Sequence, residues 1–320
     1  MPILYFLYFK MTTILIIILL ALILDRWLPD RGGFRIWSWY SDWAESIEQR
    51  FNGGLRAHGT FAVLLAIAPI LAAIFLAKLI LGQIAVVLVI LFSIVMLYLC
   101  IDLYRLGQIA QAVATALENS EVDEASAHLK ELTGKDTIET SIAGVAQATV
   151  EAVLKQANSL VVAPIFWFLL LGPVGAMLQR LAAVLDRLWG HRTARFSEFG
   201  WAAARLDDLL SWVPARITAL SYAVMGSFED ALHSWRRQAG MWSDISSGPL
   251  LASGLGALHL HSCDDSEEED LYGNTALNPA SLPGASDVRR AVALVWRVML
   301  FWLVVGTLMA AAHITGFITR

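Results

Sequence analysis

The stretches FAVLLAIAPILAAIFLA (61–77) and IAVVLVILFSIVMLYLCI (84–101) contain no charged residue, and only a short segment separates them. Each run falls in the range of roughly 17–25 apolar residues with which an α-helix crosses a bilayer. Because Lys78, Gly82 and Gln83 lie between the runs, we predict that the chain reverses there. The two runs therefore predict a transmembrane helical hairpin.

Apolar segments also occur towards both ends of the chain. Residues 1–24 are apolar apart from Lys10, and no small-residue cleavage site follows them. This pattern predicts a retained signal-anchor helix, with Met1 or Met11 as its start. Near the other end, residues 292–312 predict a final membrane span.

A further apolar run, residues 160–177, is long enough to enter the bilayer, but Pro164 and the residues from Gly172 to Gly175 interrupt it. Non-helical backbone is tolerated at membrane depth only where it packs against protein or lines a cavity. The sequence therefore predicts a broken hairpin over about 160–185, or a segment that lies in the interface.

Composition and charge agree with a membrane protein. Of the 320 residues, 57% are hydrophobic and 16% charged, whereas soluble domains contain about 25% charged residues. Five arginines lie between the first and second predicted spans and fourteen Lys or Arg residues between the third and the last, against Lys78 alone in the reversal. The positive-inside rule then predicts that both basic regions face the cytoplasm from a bacterial inner membrane.

The sequence thus predicts an all-α polytopic protein with the lipid bilayer as its partner, four to five transmembrane or re-entrant helices, and amphipathic cytoplasmic helices. We divide it into residues 1–101 with three spans, a helical region 102–290 that contains the broken hairpin, and a C-terminal helix 291–320. Residues 25–60 combine tryptophans with mixed charges. This composition is typical of a helix in the headgroup region, and an ordinary cytosolic loop is the alternative.

Several kinds of site find no support. The chain has neither a Walker-type loop nor a dinucleotide fingerprint, and nothing indicates a nucleic-acid partner. Cys100 lies in an apolar run and Cys263 in an acidic loop, so a disulfide framework is not predicted. The period-two spacing of His259, His261 and Cys263 would suit a metal site on an extended segment, but a solvated loop is the alternative.

The segment RLDDLLSWVPAR (205–216) is more informative. Asp207 and Asp208, followed by Arg216 beyond the helix-starting Pro214, could hold a divalent cation such as Mg²⁺ and a phosphate. Adjacent helix positions point about 100° apart, so both carboxylates need not serve one ion. A salt-bridged helix cap is the alternative.

Sequence blocks spread over about 134–297 resemble the CobD/CbiB family of cobalamin-assembly membrane proteins and its relative AmpE. The blocks are Gly134 to Thr137, Val150-Glu151, Ala163 to Trp167, Leu185-Asp186, Gly190 to Arg192, Arg195 to Gly200, 205–218 and Asp287 to Val292. Their order and spacing also fit the family.

The resemblance implies an ATP-dependent ligase of the adenosylcobinamide-phosphate synthase type, which joins aminopropanol or its phosphate to a corrinoid carboxylate as an amide. It implies Mg²⁺ and ATP as cofactors, and a corrinoid substrate or other corrinoid-pathway proteins as partners. The catalytic positions that match are Asp136, Glu151, Asp207 and Asp208, with possible Mg²⁺ binding at the last two. Substrate-binding roles are implied for Asp186, Arg205 and Arg216.

The chain departs from the family pattern after Glu151, where Lys155 and Ser159 replace two acidic residues, and Ala183 and Ser211 replace two asparagines. A metal-binding or general-base role at these positions is not carried over. Catalysis and a non-catalytic, AmpE-like membrane signalling role linked to β-lactamase induction or cell-wall sensing therefore stay open, as does a purely structural membrane scaffold.

Overall fold

The computed structural model describes residues 2–28, 33–134, 141–190, 195–240, 246–260 and 282–318. All regular elements in these ranges are helices, which confirms the predicted all-α class. They are α1 Pro2–Trp27, α2 Gly33–Phe51, α3 Arg56–Ile84, α4 Val86–Cys100, α5 Leu103–Glu118, α6 Val122–Thr133, α7 Ile142–Ala157, a π-helical turn Asn158–Val162, α8 Ala163–Leu171, α9 Pro173–Trp189, α10 Trp201–Met225, α11 Phe228–Gln238, α12 Ser247–Ala257 and α13 Ala285–Ile318.

Within the described ranges, four helical stretches are long and apolar enough to cross a membrane. They are Arg56–Ile84, Val86–Glu118, Ile142–Leu171 and Ala285–Ala312. The first two contain the charge-free runs, so the chain is a multi-pass membrane protein, as predicted. The helix α1 is present as expected, while its crossing of the bilayer stays a prediction.

The hairpin formed by α3 and α4 reverses later than expected. Helix α3 continues through Lys78 and Gly82 to Ile84, and the break lies at Ala85, whose backbone is extended at φ −161° and ψ 139°. A glycine inside a helix costs only about 1 kcal/mol relative to alanine. In an apolar medium each additional helical turn also satisfies backbone groups that would otherwise lack partners. The two helices pack against each other as predicted.

The chain forms two compact units, each discontinuous in sequence. The first unit comprises residues 1–104, 159–214 and 301–320, and the second comprises 105–158 and 215–300. In the first unit α3, α4 and α9 pack against one another, α1 packs on α4, and α2 packs on α3 and α9. In the second unit α7 packs on α6 and α12, and α12, in which every residue is buried, packs on α11.

Within the predicted interruption, the chain breaks at Gly172. This residue has φ 68° and ψ −150°, a conformation that only glycine adopts readily. Helices α8 and α9 then pack so closely that a Cβ built on Gly175 would lie 2.4 Å from the carbonyl oxygen of Trp167. The Nζ atom of Lys78 lies 3.5 Å from the position that a Cβ on Gly172 would occupy. A positive charge there stabilises the C-terminal end of α8.

Candidate functional site

Pro214 was predicted to start a helix but lies inside α10. A proline has no N–H, so Leu210 O, four residues earlier, loses its intrahelical donor. The indole Nε1 of Trp167 in α8 donates to Leu210 O instead, at 2.8 Å. The helix therefore continues through Pro214 because another motif block supplies the missing hydrogen bond.

Pro164 creates the same situation at the start of α8. Pro164 has no N–H to donate to Leu160 O, four residues earlier. The backbone N–H of Asp102 donates to that oxygen at 3.3 Å. Pro164 directly follows the π-helical turn Asn158–Val162. Turns of this kind occur often at functional sites.

Removing the indole donor by Trp167→Phe is expected to lower the thermal stability of the protein in detergent. The buried Leu210 carbonyl would lose its partner, at a cost of about 1–3 kcal/mol. The double variant Trp167→Phe with Pro214→Ala should recover most of the loss, because alanine supplies an N–H to Leu210 O. Equal stability of the wild type and the Trp167→Phe single variant would contradict this coupling.

The two adjacent carboxylates of α10 face different surroundings. Asp207 is half-buried, and the residues one turn before and after it, Ala203 and Ser211, are buried. The Asp208 carboxylate lies 3.7 Å from an Arg205 nitrogen, and the residue one turn later, Trp212, is 47% exposed. The predicted salt bridge thus exists within the helix rather than at a cap, and the two carboxylates do not act as one group.

Asp186, in the last turn of α9, is also half-buried. A Cβ built on Gly190 would lie 2.1 Å from Asp186 Oδ1, so the glycine leaves the space that this carboxylate fills. The motif blocks around Asp186 and Gly190 are therefore linked by packing. His191 and Arg192, which follow in the second block, lie outside the described residues.

The remaining predicted site residues belong to the second unit or are not described. Glu151 in α7 accepts a hydrogen bond from the buried Gln147 Nε2 at 2.7 Å, and Lys155, one turn later, is exposed. Arg216 is half-buried, and burial lowers the pKa of its guanidinium. Asp136 lies outside the described residues.

An ion pair between the buried Glu48 and the exposed Arg195, which sequence reasoning missed, anchors the block from Arg195 to Gly200. Glu48 in α2 is only 3% exposed and accepts from Arg195 Nε at 2.9 Å and Nη2 at 2.5 Å. Asn52 Nδ2 also donates to Glu48 Oε1, at 2.6 Å. The hydrogen bonds from Arg195 hold the pKa of Glu48 below its ordinary value despite its burial.

The same block contacts α3 at two further points. Glu198 forms an ion pair with Arg56 at 2.7 Å, and a Cβ built on Gly59 would lie 1.9 Å from Phe199 O. Phe199 is fully buried and packs edge-on against Trp189. The block therefore packs between helices and holds them together. In the sequence it stood out only as one of the blocks that resemble the family.

The motif residues that begin α13 are likewise engaged within the second unit. Arg289 forms a two-nitrogen ion pair with Glu118, with Nη2 at 2.8 Å. Arg290 binds Asp287 at 2.8 Å and donates to Leu258 O at 2.7 Å. Basic side chains that bind the last carbonyls of a helix stabilise its C-terminal end. These two arginines therefore bind at the C-terminal ends of α5 and α12.

A protein-only metal cage is not present among the described residues, since no three His, Cys, Asp or Glu side chains there are placed to share an ion. The His259 ring lies 3.1 Å from Asp230, while His261 and Cys263 lie outside the described ranges. Mg²⁺ that accompanies a nucleotide commonly takes only one or two carboxylates, with phosphate and water completing its shell. The half-buried Asp207 fits a site of that carboxylate-poor kind.

Comparison with known proteins identifies the family. The family model described as CobD/Cbib protein matches residues 18–295. The cobalamin biosynthesis protein CobD of Stutzerimonas stutzeri is 38% identical over 292 residues, covering 89% of this chain and 94% of that relative. The protein of the same name from Chromobacterium violaceum is 38% identical over 266 residues, covering 82% and 83%. No solved structure matches the chain significantly. The chain therefore belongs to the CobD/CbiB family.

Proposed function

We propose that this chain is an inner-membrane enzyme of cobalamin biosynthesis that joins aminopropanol, or its phosphate, to a corrinoid carboxylate through an amide bond. The observation that supports this most strongly is the family match over residues 18–295, together with relatives of 38% identity named for cobalamin biosynthesis. The AmpE-like signalling alternative has no support in these comparisons.

Amide formation requires that the carboxylate be activated, since its oxygen is a poor leaving group. In the proposed reaction the carboxylate oxygen would take the γ-phosphoryl group of ATP as its β–γ P–O bond breaks and ADP leaves. The carboxyl C–O bond would then break with release of phosphate as a C–N bond forms to the amine. The amine loses a proton in this step. Positive charge near the phosphate oxygens would stabilise the developing negative charge.

The residues of the chain have separable roles in this proposal. Asp207, on the buried sector of α10, would hold Mg²⁺, which neutralises phosphate charge. Arg205 and Arg216 would bind anionic groups of the substrates, and the resemblance implies catalytic roles for Asp136 and Glu151 and a substrate-binding role for Asp186. Lys155 and Ser159 have no carboxylate. In this proposal the proton of the amine would therefore be accepted by one of the acidic residues named above.

We also propose that the basic segments face the cytoplasm, where ATP is available. The asymmetry of Lys and Arg between the predicted spans supports this orientation. It requires the segment over about 160–185 to enter the bilayer and return as the predicted broken hairpin, or to lie in the interface. Consistent with it, the charged motif residues Asp207 and Arg216 belong to α10, outside the four candidate spans.

The function can be tested by expressing the chain in a corrinoid auxotroph that lacks its own synthase and is fed cobyric acid. We expect growth with the chain and none with the empty vector. Feeding cobinamide is the control, because it bypasses the proposed step and should support growth in both strains. Growth on cobinamide but not on cobyric acid, with the chain present in the membrane fraction, would refute the proposal.

A further inference from the structure

Helix α2 has three distinct faces around its axis. Its buried face contains Tyr40, Ala44, Ile47 and Glu48, each at most 4% exposed. This face accounts for the packing of α2 on α3 and α9. Only the rest of the helix surface is available for other contacts.

Next to the buried face lies a second face that we call the aromatic face, formed by Ile36, Trp39 and Trp43. Trp39 is 59% exposed and Ile36 is 43% exposed. The rings of Trp39 and Trp43 stack, with centroids 5.8 Å apart and an interplanar angle of 21°. By helical spacing Arg50 lies on the same side, so the aromatic face carries a positive charge at one end.

The third face, which we call the acidic face, contains Asp42, Glu45 and Gln49, all exposed. At about 100° per residue, Glu45 lies roughly 120° around the helix from Trp39. The exposed surface of α2 is thus divided into an apolar, basic side and a polar, acidic side. A helix surrounded evenly by water would gain nothing from such a division.

The C-terminal end of α2 adjoins a candidate membrane span. Helix α2 ends at Phe51, five residues before α3 begins at Arg56, and α3 is a candidate span. The rings of Phe51 and Phe61 are in contact, with centroids 5.5 Å apart. Phe51 is 38% exposed and Phe61 is 54% exposed on α3, so the C-terminal end of α2 lies beside exposed apolar surface of a candidate span.

We infer that the aromatic face of α2 lies in the boundary between lipid headgroups and acyl chains, with the acidic face turned to water. Tryptophan prefers this boundary because its ring is apolar and its N–H is polar. Amphipathic helices bind the membrane surface through such a face. Arg50 would be attracted to anionic headgroups, whereas Asp42 and Glu45 would be repelled by them.

The inference can be tested with single nitroxide labels on the full-length protein in nanodiscs that contain anionic lipid. The background is Cys100→Ala with Cys263→Ser, and the labelled variants are Trp39→Cys on the aromatic face and Glu45→Cys on the acidic face. Label accessibility to oxygen, which concentrates in lipid, is compared with accessibility to a water-soluble nickel chelate. Ile36→Cys and Gln49→Cys form a second pair that leaves the Trp39–Trp43 stack intact.

We expect oxygen accessibility to exceed nickel accessibility at positions 36 and 39, and the reverse at positions 45 and 49. Equal nickel accessibility on both faces would place α2 in water and overturn the inference. Protection of positions 36 and 39 from both reagents would also overturn it, because the aromatic face would then be covered by protein rather than by lipid. Neither outcome depends on whether the chain makes the corrinoid amide.

Discussion

The variant Asp207→Asn is expected to reduce corrinoid amide formation about a hundredfold or more, the usual cost of losing a group that stabilises transition-state charge. The substitution keeps the shape of the side chain and removes its charge. Because Asp207 lies on the buried sector of α10 between Ala203 and Ser211, the change should affect the site and leave the helix surface unchanged. The measurements are growth on cobyric acid and product formation by isolated membranes.

Two neighbouring substitutions serve as controls for Asp207→Asn. Asp208→Asn should have a smaller effect, because the Asp208 carboxylate already shares its charge with Arg205 at 3.7 Å. Leu209→Ala, at a side chain 71% exposed, should leave activity unchanged. Wild-type activity in Asp207→Asn, or an equal loss in Leu209→Ala, would remove Asp207 from the proposed site.

The second large effect is expected from Arg195→Ala, which should lower the thermal stability of the protein by several degrees. Glu48 would keep its burial but lose both hydrogen bonds from the guanidinium and retain the one from Asn52. Removing the partner of a buried charge is strongly destabilising, because the charge stays out of water and loses the hydrogen bonds that compensated for this. Thermal unfolding in detergent at neutral pH measures the loss.

Removing Arg195 should also reverse the direction in which the ionisation of Glu48 changes the stability of the protein with pH. In the wild type the folded-state pKa of Glu48 lies below 4.5, so its contribution is present above that pH and is lost as the pH falls through the folded-state pKa. Without Arg195, burial becomes the dominant influence and raises the folded-state pKa. The variant should then lose stability as the pH rises above the ordinary pKa of a glutamic acid, because the buried carboxyl must ionise without its partner.

Arg56→Ala is the matched control for Arg195→Ala. It removes an arginine from the same block of contacts, but the side chains of Arg56 and Glu198 are 59% and 49% exposed. Exposed pairs contribute about 0–1 kcal/mol. A loss in Arg56→Ala as large as in Arg195→Ala would show that burial of Glu48 is not the cause.

The membrane helices could be predicted from the sequence because a long apolar run needs no particular neighbour to favour lipid. The run 61–77 lies within the first candidate span, and residues 86–101 of the second run lie within the next one. The predicted position of the turn, at Lys78, Gly82 and Gln83, is too early in the chain. In the structure the helix continues to Ile84, because a lysine or glycine near a helix end costs less than unsatisfied backbone in an apolar medium.

The interpretation of Pro214 was wrong for a different reason. The sequence shows that this proline lacks a donor, but it does not show that Trp167, 43 residues from Leu210, supplies one. The same holds for the candidate site: motif resemblance identified Asp207 and Asp208, yet only the helix and its buried neighbours show that the two carboxylates face different surroundings.

Apolar run length and composition were enough to predict that the chain is helical and enters the bilayer several times, because transfer of an apolar segment into lipid depends on that segment's own residues. The tertiary structure alone decided which polar groups meet. Glu48 pairs with Arg195 across 147 residues, and the hydrogen bonds from that partner hold its pKa below the ordinary value although Glu48 is buried. Such pairing depends on short distances and on exclusion of water, and both are produced only when distant segments pack together.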